Sequence, residues 1–279
     1  MPLADALRTA RTSGRPLVVP YLMVDRARSS SLRRTVGALR DGGACALELG
    51  FPFSDPIADG PVLEAAAGRA LARGTGWSDL IRACRVASSV LPTAVMTYAN
   101  PVWQEGLKAG MRQLARAGAT GLIVPDLSLE ESRPWRTEAR AAGLALVLLS
   151  APGSPPERTA AVARASRGFL YLVSRYGTTG TAVRDPSVDL RPIVRTAHRA
   201  APRLPVLVGF GVRDRASASR ALATGADGVV VGTALEELLE RRPSADHLRS
   251  WVRAIGSARA RATNGPGLTT VELSRARGT

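Results

Sequence analysis

Eight short apolar runs punctuate the chain, at 17–24, 44–49, 94–98, 121–124, 144–149, 169–173, 205–208 and 228–231. Each is rich in Val, Leu or Ile and too short for a helix. A continuous apolar run of this kind suits a parallel strand covered on both faces. Between the runs lie stretches rich in Ala, Arg, Leu and Glu with helical periodicity, at 31–41, 106–117, 130–142, 156–166, 188–200 and 217–224. Gly42, Gly118, Gly143 and Gly225 follow four of them, where a left-handed helix C-cap is expected. Strand–helix alternation repeated eight times predicts a parallel sheet. In a chain of 279 residues it favours a closed α/β architecture, the (β/α)8 or TIM barrel, as a single domain. An open doubly wound sheet is the alternative.

Two regions depart from the repeat. The segment 50–91 has room for an ordered loop and two helices before the third strand. The barrel is expected to occupy residues 1–255. The stretch 256–279, rich in Gly, Arg, Thr and Ala, predicts a tail with one short helical piece at most and disorder beyond it.

Composition narrows the function. Hydrophobic residues make up 45% and charged residues 22%, as in ordinary globular proteins. The net charge of +15 raises nucleic-acid binding, but the excess is arginine spread along the chain, with Lys108 the only lysine. Aromatic residues are only 4%, which leaves little to stack on bases, so no nucleic-acid partner is expected. A basic surface still attracts small anions such as a sugar phosphate. Cys45 and Cys84 lack metal-ligand spacing and read as reduced, mostly buried thiols. His198 and His247 fall in helical stretches without a partner in sight and read as surface residues. Neither a metal site nor a cofactor motif is visible. No run is long enough to span a bilayer and no signal peptide is apparent, so a cytoplasmic protein without a membrane partner is expected.

In parallel barrels the chemistry lies at the C-terminal ends of the strands. The second strand ends at Glu48 and runs into Gly50-Phe51-Pro52-Phe53-Ser54-Asp55-Pro56-Ile57-Ala58-Asp59-Gly60-Pro61. Alternation places Glu48 inside the barrel with Ala44 and Ala46, and turns Cys45, Leu47 and Leu49 towards the helices. A glutamate among small apolar neighbours is costly without a partner or a task. Either it is hydrogen-bonded to loop amides, or it is a proton carrier with a raised pKa. Asp59 alone reads as a turn residue. Paired with Glu48 it makes two carboxyl groups over one mouth, able to divide acid and base roles. Glycines at the ends of the seventh and eighth strands, in Gly209-Phe210-Gly211 and Gly232-Thr233-Ala234, suit a phosphate cradle of loop amides and a helix start, with 177–180 as a third wall. Tyr171 points inward, as core or as a ligand contact.

These motifs resemble the tryptophan synthase alpha chain family over roughly residues 17–239, most specifically in the string from Glu48 to Pro61. Supporting matches are Met96-Thr97-Tyr98-Ala99-Asn100-Pro101, Val124-Pro125-Asp126-Leu127, Tyr171-Leu172-Val173-Ser174, Thr179-Gly180, Gly209-Phe210-Gly211 and Gly232-Thr233-Ala234. The resemblance implies a lyase that splits indole-3-glycerol phosphate into indole and glyceraldehyde-3-phosphate, with no cofactor. By resemblance Glu48 is the catalytic proton carrier and Asp59 stabilises charge at the indole nitrogen. Thr179 contacts that aspartate when its loop closes. Gly180, Gly211, Gly232 and Thr233 hold the phosphate, while Tyr21, Tyr98, Ile123 and Tyr171 surround the indole. The chain departs from the family after the first strand, where Asp25-Arg26-Ala27 stands for the usual Gly-Asp-Pro, and at Ser128, where a proline is usual. Family members pair with a beta subunit through this face. An alpha subunit, a stand-alone indole-releasing lyase and an idle phosphate-binding barrel are the three expectations.

Overall fold

The computed structural model describes residues 1–174 and 189–259. Eight parallel strands follow one another round a closed barrel in chain order. They are β1 (Leu17–Met23), β2 (Leu47–Gly50), β3 (Thr93–Met96), β4 (Gly121–Ile123), β5 (Ala145–Ser150), β6 (Leu170–Val173), β7 (Val206–Gly209) and β8 (Gly228–Val231). Closure is made by β1, which pairs with β2 on one edge and β8 on the other, and this removes the open sheet as an alternative. No helix among the described residues is long and apolar enough to cross a membrane.

Besides α1 (Leu3–Arg11), which lies at the floor, the outer layer contains α2 (Leu32–Asp41), α3 (Pro61–Ala72), α4 (Trp77–Ser88), α5 (Ala99–Gln104) and α6 (Leu107–Arg116). It continues with α7 (Ser132–Ala142), α8 (Pro156–Ala165), α9 (Arg191–Ala200), α10 (Arg215–Leu222), α11 (Thr233–Glu240) and α12 (Ala245–Gly256). The expected loop and two helices after β2 are present as the stretch before α3, then α3 and α4. Pro61 and Pro156 sit in the first turns of α3 and α8, where a missing N–H costs nothing. Asp214 caps α10 by accepting the Ser217 N–H at 2.8 Å. The last helix, α12, packs on α2 and was not marked by the sequence repeat. Most of the expected tail, 260–279, lies outside the described residues.

The predicted glycine caps hold at Gly118, Gly143 and Gly225, with φ of 94°, 78° and 91°. Gly42 is a correction: it is right-handed, with φ −77°, and Gly43 takes the left-handed place at 105°. Gly42 is small for another reason. A Cβ there would lie 2.8 Å from the Arg249 carbonyl oxygen and from the Val252 Cβ, so α12 occupies its space.

Two apolar layers result. The outer one lies between strands and helices and includes Leu47, Leu49, Val95, Leu122 and the fully buried Trp135. The inner one fills the barrel with Val19, Ala46, Ala94, Ile123, Val147, Phe169 and Leu207. The expected alternation holds along β2 but fails before it. Ala44 belongs to the outer layer and Cys45 packs against the inner one, because 44–46 precede the regular strand. His198 is also a correction. Its Nε2 lies 2.9 Å from an Asp227 carboxylate oxygen, and it is only partly exposed.

The N-terminal helix closes the floor. Leu3 and Leu7 of α1 belong to the inner layer and are 1% and 0% exposed. Gly121 and Gly168 make room for this plug, since a Cβ at either would come within 2.6 Å and 3.0 Å of Leu3 Cδ2. Leu7→Ala is expected to destabilise the fold by about 2–5 kcal/mol, read by urea unfolding, with turnover per folded molecule unchanged because the mouth is at the other end. A loss under about 1 kcal/mol would show that α1 does not plug the barrel.

Candidate active site at the barrel mouth

Glu48 sits in the middle of β2, level with Tyr21 of β1 and Ala94 of β3. Its side chain is fully buried and, among the described residues, neither carboxyl oxygen has a hydrogen-bond partner. The described loops therefore offer it no amide. Burial, and then the nearby charge of Asp59, push its pKa up to about 8. Glu48 thus holds a proton at neutral pH.

Asp59 is carried over the mouth by the loop after β2. That loop is fastened by aromatic rings. Phe51 meets Trp77 edge-on with centroids 5.7 Å apart, and Phe53 lies on Tyr98 at 5.2 Å. The Tyr98 hydroxyl accepts the Ala58 N–H at 3.0 Å and donates to the Asp59 carboxylate. Burial raises the Asp59 pKa to about 6, against the lowering effect of the Tyr98 bond. Tyr98 was expected in the wall of an indole pocket. Its hydroxyl additionally anchors the carboxylate loop, a role that no motif spacing reveals. Asp126, from the loop after β4, accepts the Ala99 N–H at 3.0 Å and so caps α5, which follows Tyr98 directly.

The other residues expected around the indole share one layer. Tyr21, Ile123 and Tyr171 all lie in the inner layer, with Tyr21 and Tyr171 5% and 4% exposed. The Tyr21 hydroxyl donates to the Met23 sulfur at 3.6 Å. Tyr171 contacts Phe169 and Phe210, each with ring centroids 5.8 Å away. Both tyrosines depend on a neighbouring glycine. A Cβ on Gly50 would sit 1.9 Å from the Tyr21 hydroxyl oxygen, and one on Gly209 would sit 2.4 Å from the Tyr171 ring. These two glycines shape the mouth.

The third part of the site lies at the ends of β7 and β8. Phe210 and Gly211 are both left-handed, with φ of 64° and 94°. Successive backbone amides in such a turn form a concavity that suits an anion. The left-handed Phe210 is strained by about 1–2 kcal/mol, and the Ser174 hydroxyl braces it by donating to its carbonyl. Across from it, Gly232 is the N-cap of α11 and Thr233 its first residue. The first-turn amides of a helix have no partner within the helix, and its N-terminus carries partial positive charge. An ion pair between Arg213 and Glu237 links the loop after β7 to α11. Thr179 and Gly180, expected as a loop contact and a phosphate contact, lie outside the described residues. Among the described residues no group of three His, Cys, Asp or Glu side chains is placed to hold a metal ion.

Fold and site define a class: a (β/α)8-barrel enzyme whose chemistry sits at the C-terminal mouth. Comparison with known proteins gives the particular family. The tryptophan synthase alpha chain family matches residues 7–259, and the chain belongs to it. The alpha chain of Thermobifida fusca is 41% identical over 255 residues, covering 90% of this chain and 93% of that one. A solved tryptophan synthase of Mycobacterium tuberculosis superimposes with a TM-score of 0.80 at 36% identity, covering 91% of this chain and 96% of the other. The alpha2beta2 tryptophan synthase of Pyrococcus furiosus gives 0.76 at 34% identity, covering 86% and 97%.

The raised pKa of Glu48 has a consequence for stability. The folded chain binds its proton more tightly than the unfolded chain does, so stability is lost as pH rises from about 4.5 to about 8. Glu48→Gln keeps the shape and removes the charge. It is expected to raise the melting temperature at pH 8, by an amount worth a few kcal/mol, and to have little effect at pH 4. Equal melting temperatures at pH 8 would mean that Glu48 is not held neutral.

Proposed function

We propose that this chain cleaves indole-3-glycerol phosphate into indole and glyceraldehyde-3-phosphate by a retro-aldol reaction, with Glu48 moving the protons and Asp59 stabilising the charge. The observation that carries this reading is the buried Glu48 carboxyl at the mouth of the barrel, with both oxygens unpartnered among the described residues. A proton carrier must begin protonated and be able to lose its proton nearby. In the first step the Glu48 acid donates its proton to C3 of the indole ring, and positive charge develops at the ring nitrogen. The Asp59 carboxylate accepts the hydrogen bond of that N–H and stabilises the charge. The Glu48 carboxylate then takes the proton of the hydroxyl on the carbon attached to C3. The bond between that carbon and C3 breaks, its electron pair returns to the ring as indole, and the hydroxyl becomes the aldehyde. Glu48 ends as an acid again.

Tyr21, Tyr98, Ile123 and Tyr171 form the apolar wall for the indole in this reading. Gly211, Gly232 and Thr233 take the phosphate, joined by Gly180 on the strength of the family resemblance, as is Thr179 for contact with Asp59. We also propose a cytoplasmic location, where phosphorylated biosynthetic intermediates are made and used.

Purified chain should release indole from indole-3-glycerol phosphate, followed as indole by extraction or by a coupled dehydrogenase for the aldehyde. The expected kcat/KM rises as Asp59 ionises near pH 6 and falls as Glu48 loses its proton near pH 8. Glu48→Gln should reduce turnover by at least about 10²–10⁴-fold with the fold intact. Wild-type-like turnover in that variant would overturn the mechanism.

The same reading includes a beta subunit as partner, as in the Pyrococcus furiosus complex, whose two subunit types are described as mutually activating. The mouth loops expose large apolar side chains. Ile57, beside Asp59 in the loop after β2, is 68% exposed, and Trp103 of α5 is 52% exposed. Trp103 stands edge-on against the buried Trp135, with centroids 5.4 Å apart, so it is held rigidly outward. Rigid exposed aromatics are common anchors of protein interfaces. Trp103→Ala should weaken binding of a tryptophan synthase beta chain by at least about tenfold in titration calorimetry. Unchanged affinity would remove this face from the interface.

A further inference from the structure

Glu236 is a second fully buried carboxyl group, and the proposed chemistry does not use it. It lies in the first turn of α11, three residues after Thr233. Unlike Glu48, both its oxygens are engaged. Oε1 accepts the Met23 N–H at 2.7 Å, and Oε2 accepts Arg28 Nη1 at 2.5 Å. Met23 ends β1, two residues beyond Tyr21, and a Cβ on Gly232 would rest 3.4 Å from the Tyr21 ring. Glu236 therefore fastens the start of α11 to the mouth end of β1. Arg28 comes from the loop after β1, close to where Asp25-Arg26-Ala27 replaces the family's usual Gly-Asp-Pro. Its neighbour Arg26 is engaged elsewhere, with Asp79 at 3.0 Å. Arg28 is largely shielded, its side chain 25% exposed.

The position matters because the same helix start forms one wall of the phosphate cradle. A carboxylate buried beneath it repels an arriving phosphate and draws on the partial positive charge of the helix terminus. Burial pushes the Glu236 carboxyl up in pKa, and Arg28 pulls it down towards the ionised form. With Arg28 present, the pair adds no net charge beside the anion. Without it, the carboxyl keeps only the Met23 N–H, takes up a proton more readily, and repels the anion only at pH values high enough to ionise it.

We propose that Arg28 and Glu236 are positioning residues for phosphate affinity: Glu236 sets the start of α11 against β1, and Arg28 cancels its charge beside the anion. This rests on the phosphate cradle of the function proposed above. It makes the arginine of the loop after β1 a compensation for the buried acid of α11.

Three variants test it: Arg28→Gln, Glu236→Gln and the double variant. The readouts are steady-state KM and kcat with indole-3-glycerol phosphate, and the Kd of inorganic phosphate by calorimetry. In alkaline buffer, where Glu236 without its partner still ionises, Arg28→Gln should raise both KM and phosphate Kd by about tenfold while kcat stays within about twofold, and the effect should fade as the pH is lowered and the carboxyl takes up a proton. Glu236→Gln keeps an oxygen for the Met23 N–H and leaves Arg28 unopposed, so phosphate should bind about threefold more tightly. The double variant should return to within about threefold of the original Kd, a rescue that a purely structural tie would not give. If Arg28→Gln does not fold, Glu236→Gln decides: tighter phosphate binding supports the proposal and an unchanged Kd overturns it. Parallel losses of kcat and melting temperature in all three variants, without a change in phosphate Kd, would also overturn it. An unsubstituted chain that neither binds phosphate nor releases indole would overturn the cradle itself. One that does both, with Arg28→Gln unchanged in Kd, would overturn only the role of the ion pair.

Discussion

Removing a carboxyl group from water without offering it a hydrogen bond keeps it neutral, because ionisation inside an apolar enclosure is far more costly than in solvent. Glu48 is under this constraint, and much of the barrel serves to maintain it. Ala46 and Ala94 leave room for its side chain, the rings of Tyr21 and Tyr171 cover its flanks, and the layers below are filled down to α1. The glycines at Gly50 and Gly209 follow from the same requirement, since each yields its Cβ space to one of those rings. The cost is borne by the rest of the fold, whose two continuous apolar layers hold the strand that carries the acid.

Three of the buried carboxyl groups, Glu48, Asp59 and Glu236, are treated in three ways. Glu48 has no partner among the described residues and keeps its proton. Asp59 receives a tyrosine hydroxyl and sits near the middle of the physiological range. Glu236 is given an amide and a guanidinium and serves as a fastening group in the framework. Residue type is nearly the same in all three, so the surroundings decide the role. The division between a reacting acid, a charge stabiliser and a fastening group is written in what each oxygen touches.

The sequence carries the barrel clearly, because buried parallel strands and Gly-ended helices leave local patterns. The eight strands fall within a few residues of the apolar runs, and the Glu48-to-Pro61 string leads directly to two members of the site. What was not legible depends on contacts between distant segments. Gly42 looked like a helix cap but is small because α12 packs on it. Ala44 and Cys45 broke the alternation because the regular strand begins only at Leu47. His198 looked solitary until the chain brought Asp227 beside it. The Tyr98 anchor on Asp59 and the Arg28–Glu236 pair span 39 and 208 positions respectively, too far for any periodicity to connect.

The helix plug at the floor has a consequence for traffic. With Leu3 and Leu7 filling the end opposite the mouth, the barrel is a blind vessel: whatever enters must leave by the opening through which it came. Indole is small, apolar and able to diffuse through lipid, so a cell loses what the vessel lets go. The opening is therefore a valve as well as an entrance, and custody of the product belongs to whatever rests on the rim.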